Sequence, residues 1–125
     1  MTIIDSDILI DFLNGKAPKS VEDALARGTL STTAITAYEL RRGARTEKAL
    51  GAVELLLAQL AELVSFDDAA SAEAAAVYRE LGRSGQLIGK ADLYIAGICI
   101  ASDARLLTRN TREYSRVPRL EIAKI

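Results

Sequence analysis

Apolar residues fall along this chain in two alternating rhythms: short dense runs, and longer stretches spaced three or four residues apart. The first run, 2–5 (Thr-Ile-Ile-Asp), reads as a buried strand that ends in an acid. Ser6 is placed to cap a helix over about 7–13, which stops at Asn14-Gly15. Residues 19–27 predict a short amphipathic helix with Val21 and Leu25 inward, ended by Gly28. The β-branched run 29–33 predicts a second strand, and a helix follows over about 34–43. The longest periodic segment, about 46–62, sets Leu50, Val53, Leu57, Leu60 and Val64 on one stripe. Residues 63–66 read as a brief strand. Asp67 or Asp68 then caps a helix over about 69–82, with Ala70, Ala74, Val77 and Leu81 on one face. Loop composition marks 82–89. Over 91–101 the only ionisable side chains are Asp92, Tyr94 and Cys99, so that helix is expected to be buried nearly all round. A strand over 105–108, a short helix after Asn110 and an edge strand over 120–125 complete the pattern.

Strands that alternate with helices predict an α/β fold with a parallel sheet covered on both faces. The 125 residues suit one domain, 1–125, with no internal repeat and no low-complexity run. Half the residues are apolar but only four Tyr and two Phe are aromatic, so the core must be built from Leu, Ile, Val and Ala. Asp5 and Asp7 interrupt the first apolar stretch, so the start does not resemble a signal peptide and none is expected, and no run approaches the ~18 apolar residues of a bilayer span. The single Cys99 excludes an internal disulfide and fits a reducing compartment, so a cytoplasmic protein is expected.

The net charge of −1 is wrong for a basic nucleic-acid coat, so a nucleic-acid partner would need a local basic patch or a bound cation. The chain has no histidine. That excludes Ser-His-Asp and Cys-His catalysis and removes the usual nitrogen ligands of zinc. Acid–base or metal chemistry must run on Asp and Glu, and oxygen-only ligands favour Mg2+ or Mn2+.

Three acids fall where open α/β sheets carry their chemistry, beyond the carboxyl ends of strands. Asp5 ends the first strand, Glu39 lies in the helix after the second, and Asp92 opens the buried helix that leads into the fourth. Asn110 lies just past that fourth strand, with Glu113 three residues on. Each acid also has a plainer explanation. Asp5 is a good helix N-cap. Thr36-Ala-Tyr-Glu39 has the spacing of a capping box. Asp92 complements the positive end of a helix dipole. Yet Asp92 stands among Ala91, Leu93, Ile95 and Ala96, where a carboxylate is costly unless paired or bound to metal, and Lys90 lies two residues away on another face of the helix. Two carboxylates ~5 Å apart repel by roughly 3 kcal/mol at an effective dielectric near 20. A converging set therefore needs protons, nearby cationic side chains or a divalent ion. Such an ion would also serve as a Lewis acid at a scissile phosphate and lower the pKa of an attacking water.

Four stretches carry a resemblance: Ile3-Ile4-Asp5-Ser6-Asp7-Ile8-Leu9-Ile10, Thr33-Ala-Ile-Thr-Ala-Tyr-Glu39-Leu40-Arg41-Arg42-Gly43, Gly89-Lys90-Ala91-Asp92-Leu93-Tyr94-Ile95-Ala96, and Leu107-Thr108-Arg109-Asn110-Thr111-Arg112-Glu113-Tyr114. In this order and at these separations, over nearly the whole chain, they resemble the PIN-domain family and, within it, VapC-type toxins of toxin–antitoxin pairs. The resemblance implies a PIN-like three-layer α/β/α sandwich with a mainly parallel five-stranded sheet. It implies Mg2+- or Mn2+-dependent endonuclease action on RNA, a homodimer, and inhibition by a cognate VapB antitoxin. Asp5, Glu39 and Asp92 match the family's core acids, with Asp5 and Asp92 expected as direct metal ligands and Glu39 binding directly or through water. Asp7 matches a supporting position and Thr108 a small hydroxyl at the edge of the site. The family's fourth acid position holds Asn110 here, and Glu113 stands near enough to supply the missing charge. Arg41, Arg42, Arg45, Arg109 and Arg112 flank two of these motifs and are expected to bring guanidinium groups to one rim for RNA phosphates. The helices over 46–62 and 69–82 offer surfaces for a dimer, although core packing explains them equally.

Other readings fit less well. Asp5-Ser6-Asp7 resembles the opening of haloacid dehalogenase-type phosphatases, but Leu9 stands where their Thr is needed and no cap domain fits. The Gly85–Lys90 stretch has three residues between glycines where a phosphate loop needs four. A catalytically weak PIN-like module that only binds RNA or protein would require a broken acid set, and this set is whole.

Overall fold

The computed structural model describes residues 1–124. Five short strands, β1 (Thr2–Ile4), β2 (Leu30–Thr33), β3 (Leu63–Val64), β4 (Arg105–Leu107) and β5 (Glu121–Ile122), form one sheet in the order β3-β2-β1-β4-β5. Every pairing is parallel, so the sheet is wholly rather than mainly parallel. The chain starts at the middle of the sheet: β1 pairs Thr2 with Leu30 on one side and with Arg105 on the other. A central parallel strand is buried on both faces, which is why Ile3 and Ile4 are both fully covered.

Alternation along β1 divides the core. Ile3 packs with Val77, Leu81, Ile95, Ile98 and Leu106, contributed by α5 (Asp68–Arg83), α6 (Lys90–Ala101) and β4. Ile4 packs on the opposite face with Leu9, Val21, Leu25, Leu40 and Leu57. These come from α1 (Ser6–Leu13), α2 (Lys19–Ala26), α3 (Ala34–Gly43) and α4 (Glu47–Ala58). The result is the three-layer α/β/α sandwich. A last short helix, α7 (Thr111–Tyr114), links β4 to β5.

Local chemistry departs from the sequence expectations at four points. Asp5, not Ser6, caps α1, because its carboxylate accepts the Ser6 N–H at 2.8 Å. Thr33 caps α3 through the Thr36 N–H, so Glu39 lies in the second turn and forms no capping box. Helix α4 ends at Ala58, which takes Leu60 and Val64 off its stripe: Val53, Leu56 and Leu57 are buried while Leu50 stays 40% exposed. The edge strand expected over 120–125 shortens to Glu121–Ile122, and residue 125 lies outside the described residues. No helix among the described residues is long and apolar enough to cross a membrane.

Candidate catalytic site

Because all five strands run the same way, their carboxyl ends share one edge, and the chain leaves β1 and β4 there side by side. Asp5 follows β1 and its N–H still bonds the Leu107 carbonyl of β4 at 2.9 Å. Its side chain is 5% exposed. One carboxylate oxygen accepts the Ser6 N–H and the other accepts the Thr108 hydroxyl, both at 2.8 Å. Burial, reinforced by the neighbouring charges of Asp7 and Asp92, pushes the Asp5 carboxyl up to about 6 despite these two bonds.

Thr108 organises the junction. Its hydroxyl reaches Asp5 Oδ2 at 2.8 Å and Asp7 Oδ2 at 3.3 Å, and its Oγ1 accepts the Asn110 N–H at 3.0 Å. Asp7 also accepts the Arg109 N–H at 3.0 Å. The β4–α7 turn is thereby tied to the first turn of α1. Asn110 extends this tie by donating its side-chain amide to Glu113 Oε2 at 3.2 Å.

The other two core acids approach from different helices. Glu39 on α3 is half-buried, and its carboxyl is held above the usual range first by desolvation and then by the charge of Asp92. Arg42 and the Ser6 hydroxyl act on Glu39 in the opposite sense. Asp92 stands in the first turn of α6, whose N-cap is Gly89. Its carboxyl is raised by burial and by Glu113 and Asp7, against a hydrogen bond donated by the Tyr114 hydroxyl at 3.0 Å.

Charge coupling links Asp5 to Asp7 and Asp92, and Asp92 to Glu39, Asp7 and Glu113, so the sequence-predicted acids face one another at one edge of the sheet. Among the described residues, however, no three Asp, Glu or Cys side chains are already gathered tightly enough to enclose an ion. The donor set itself is hard oxygen throughout, which suits Mg2+ or Mn2+, and three core acids whose ionised forms are disfavoured are what a cation would relieve.

The five arginines do not form a uniform rim. Arg41 turns to α4 and grips Glu54 with two nitrogens at 2.8 and 2.9 Å. Arg109 pairs with Asp11 at 3.0 Å. Arg42 lies over the Tyr38 ring, 5.6 Å from its centre, and beside Glu39. Arg45 and Arg112 are exposed. Two residues escaped the sequence reading. Ser6 reads as a cap but neighbours Glu39, and Tyr114, which ends the fourth motif and has no role assigned from the sequence, reaches Asp92. The Asp-Ser-Asp run was the available signal for Ser6; for Tyr114, a hydroxyl in an otherwise apolar core position was the signal.

A wholly parallel α/β/α sandwich that brings acids from several elements to the carboxyl edge of its strands has the form of a metal-assisted hydrolase. The chain belongs to the PIN domain family, whose family model matches residues 2–120, and within it to the VapC-type ribonucleases. It is 30% identical over 121 residues to the tRNA(fMet)-specific endonuclease VapC of Shigella flexneri, covering 92% of this chain and 90% of that one. It is 29% identical to Ribonuclease VapC1 of Methanocaldococcus jannaschii, covering 92% of this chain and 79% of that one. Among solved structures, DNA-bound VapBC from Salmonella typhimurium superposes with a TM-score of 0.88 at 27% identity, covering 98% of this chain and 96% of that one.

Proposed function

We propose that this chain is the toxin of a VapBC-type pair and cuts RNA internally with Mg2+ or Mn2+ held by Asp5, Asp92 and Glu39. The observation that carries the reading is the convergence of acids whose ionised forms are disfavoured, centred on the buried Asp5, in a chain without histidine. When bound, such an ion would supply Lewis acidity at a phosphate and would lower the pKa of a water held beside it. Asp5 and Asp92 serve as direct ligands, and Glu39 binds directly or through water. Thr108 fixes Asp5 and Asp7 in relation to each other, while Asn110 and Glu113 brace the turn beneath Asp92. Arg45 and Arg112 supply exposed guanidinium groups for flanking phosphates, Arg42 adds one from its place between Tyr38 and Glu39, and Arg109 and Arg41 join them after exchanging their carboxylate partners for phosphate.

A VapB-like antitoxin is the proposed protein partner. The groove lined by Ile10, Leu13, Leu40 and Val53, about 410 Å³ in volume, runs to Glu39. It suits an apolar segment whose basic residue reaches the acids and competes with the ion. A homodimer, acting in the cytoplasm, completes the proposal.

The test is cleavage of total RNA by the purified chain. Chelator should stop cleavage, and added Mg2+ or Mn2+ should restore it. Cleavage that persists in chelator would remove the metal from the reading. RNA retained without cleavage at any metal concentration would favour a binding module.

A further inference from the structure

Tyr114 is the largest fully buried side chain of the protein. It closes α7, a helix of one turn, and packs in the same cluster as Ile3, Ile95, Ile98 and Leu106. Phenylalanine would fill that space without taking a hydroxyl out of water, which is unfavourable unless the hydroxyl finds a partner. The partner found is Asp92 Oδ1, 3.0 Å away and 22 residues back along the chain. Among the described residues no other alcohol or phenol hydroxyl and no N–H donates to Asp92. The remaining groups acting on it are acids: Asp7 by its charge, and Glu113 both by its charge and through a carboxyl–carboxyl hydrogen bond that forms only when one of the two carries a proton.

We propose that Tyr114 is a positioning residue for metal binding: its immobile hydroxyl takes one oxygen of Asp92 and fixes the orientation in which the carboxylate is offered to the ion. The inference rests on the metal-dependent reading given above. An aspartate at the start of a helix can rotate about two side-chain bonds, and the neighbouring charges of Asp7 and Glu113 disfavour its ionised form. A tyrosine ring enclosed on all sides cannot follow, so its hydrogen bond restrains the carboxylate. Outer partners of this kind raise metal affinity by orienting the ligand rather than by touching the ion, and their loss costs about 10–100-fold. Tyr114 holds Asp92 as Thr108 holds Asp5, with each acid tied by one hydroxyl from the β4–α7 segment.

The experiment is a calorimetric titration of the metal-free protein with Mn2+, comparing wild type, Tyr114→Phe and Asp92→Asn, with RNA cleavage followed as a function of Mn2+. Tyr114→Phe should bind Mn2+ about 10-fold more weakly. Its cleavage rate should return to within about threefold of wild type at saturating Mn2+, because the ligand remains and only its orientation is lost. Asp92→Asn should not recover at any Mn2+ concentration. In the double variant, Tyr114→Phe should add nothing to Asp92→Asn. Equal Mn2+ affinity in Tyr114→Phe and wild type overturns the positioning role while leaving the metal-dependent reading intact. A wild type that neither binds Mn2+ nor cleaves with it overturns both. If Tyr114→Phe does not fold, the hydroxyl is needed for the fold and the positioning role is likewise overturned.

Discussion

Replacing Asp5 with asparagine is expected to stabilise the protein at pH 7 and to abolish RNA cleavage. The Asp5 carboxyl is pushed up to about 6 from an ordinary 3.8, chiefly by burial. A shift of that size means that keeping this group ionised in the folded state costs ~3 kcal/mol at neutral pH. Between about pH 4 and pH 6 the unfolded chain has released this proton and the folded chain has not. The contribution of Asp5 to stability is therefore greatest at acid pH, falls as pH rises through that window, and levels off above it. Glu39 and Asp92 are shifted in the same direction and add to the slope.

Asparagine removes the charge and keeps the shape. Its carbonyl accepts the Ser6 N–H in place of Oδ1, and its amide donates to Thr108 Oγ1 in place of Oδ2. The Thr108 hydroxyl proton then turns to Asp7 Oδ2, already 3.3 Å away. With the Ser6 and Thr108 partners kept and one amide N–H left over to offset part of the gain, the net gain should be about 1–3 kcal/mol, or a melting temperature raised by roughly 5 °C or more. The same change removes a direct ligand, so cleavage should fall by more than the roughly 100-fold that loss of an outer partner causes. Mn2+ should raise the melting temperature of the wild type and barely move that of Asp5→Asn, because only a folded state that binds the ion is stabilised by it. Melts recorded from pH 4 to pH 8 with and without Mn2+, beside a cleavage assay, check all of this. A variant that melts lower than wild type at pH 7, or cleaves RNA as well, would refute the role given to Asp5.

Much of the frame could be read from the sequence because burial leaves a pattern. In α5, Ala70, Ala74, Val77 and Leu81 recur at helical spacing and are all buried, as the spacing predicts. In α6, the lack of a polar stripe marks a helix enclosed on nearly every side, and residues 95–99 are buried without a break. In α4 the same reasoning fails, because the run Leu55-Leu56-Leu57 offers more than one face. Only tertiary packing decides that Leu56 turns in while Leu55 is 73% exposed. The acids themselves were legible, since a carboxylate in an apolar helix or at the end of a buried strand needs a reason. What holds them was not. The Thr108–Asp5 bond joins residues 103 apart, and the Arg41–Glu54 pair joins two exposed side chains on different helices. Neither leaves a trace in local spacing. The strand order, with β1 central, depends likewise on which loops cross the sheet.

Gly97→Ala should be the most damaging single-methyl change in the protein. A Cβ at Gly97 would lie 2.5 Å from the Ala70 carbonyl oxygen, 2.8 Å from Ala74 Cβ and 2.9 Å from Ala74 N. Two of these three are backbone atoms of α5, so no side-chain rotation can clear them, and α5 and α6 would have to move apart. Separation would loosen the contacts that Ala70, Ala74, Val77 and Leu81 make with α6, the most closely packed part of one core. Forced methyls in well-packed cores cost ~1–3 kcal/mol even where neighbours can adjust, and here they cannot. The better helix propensity of alanine returns at most ~1 kcal/mol. A net loss of about 3 kcal/mol or more is expected, a large share of the ~5–15 kcal/mol that holds a domain of this size. Adding Ala74→Gly should restore only part of the stability, because it removes the 2.8 Å contact and leaves both backbone clashes. Because α6 also carries Asp92, whatever folds of Gly97→Ala should bind Mn2+ more weakly than wild type. A Gly97→Ala protein that melts with the wild type would show that the two helices separate freely, contrary to the close approach from which this loss is calculated.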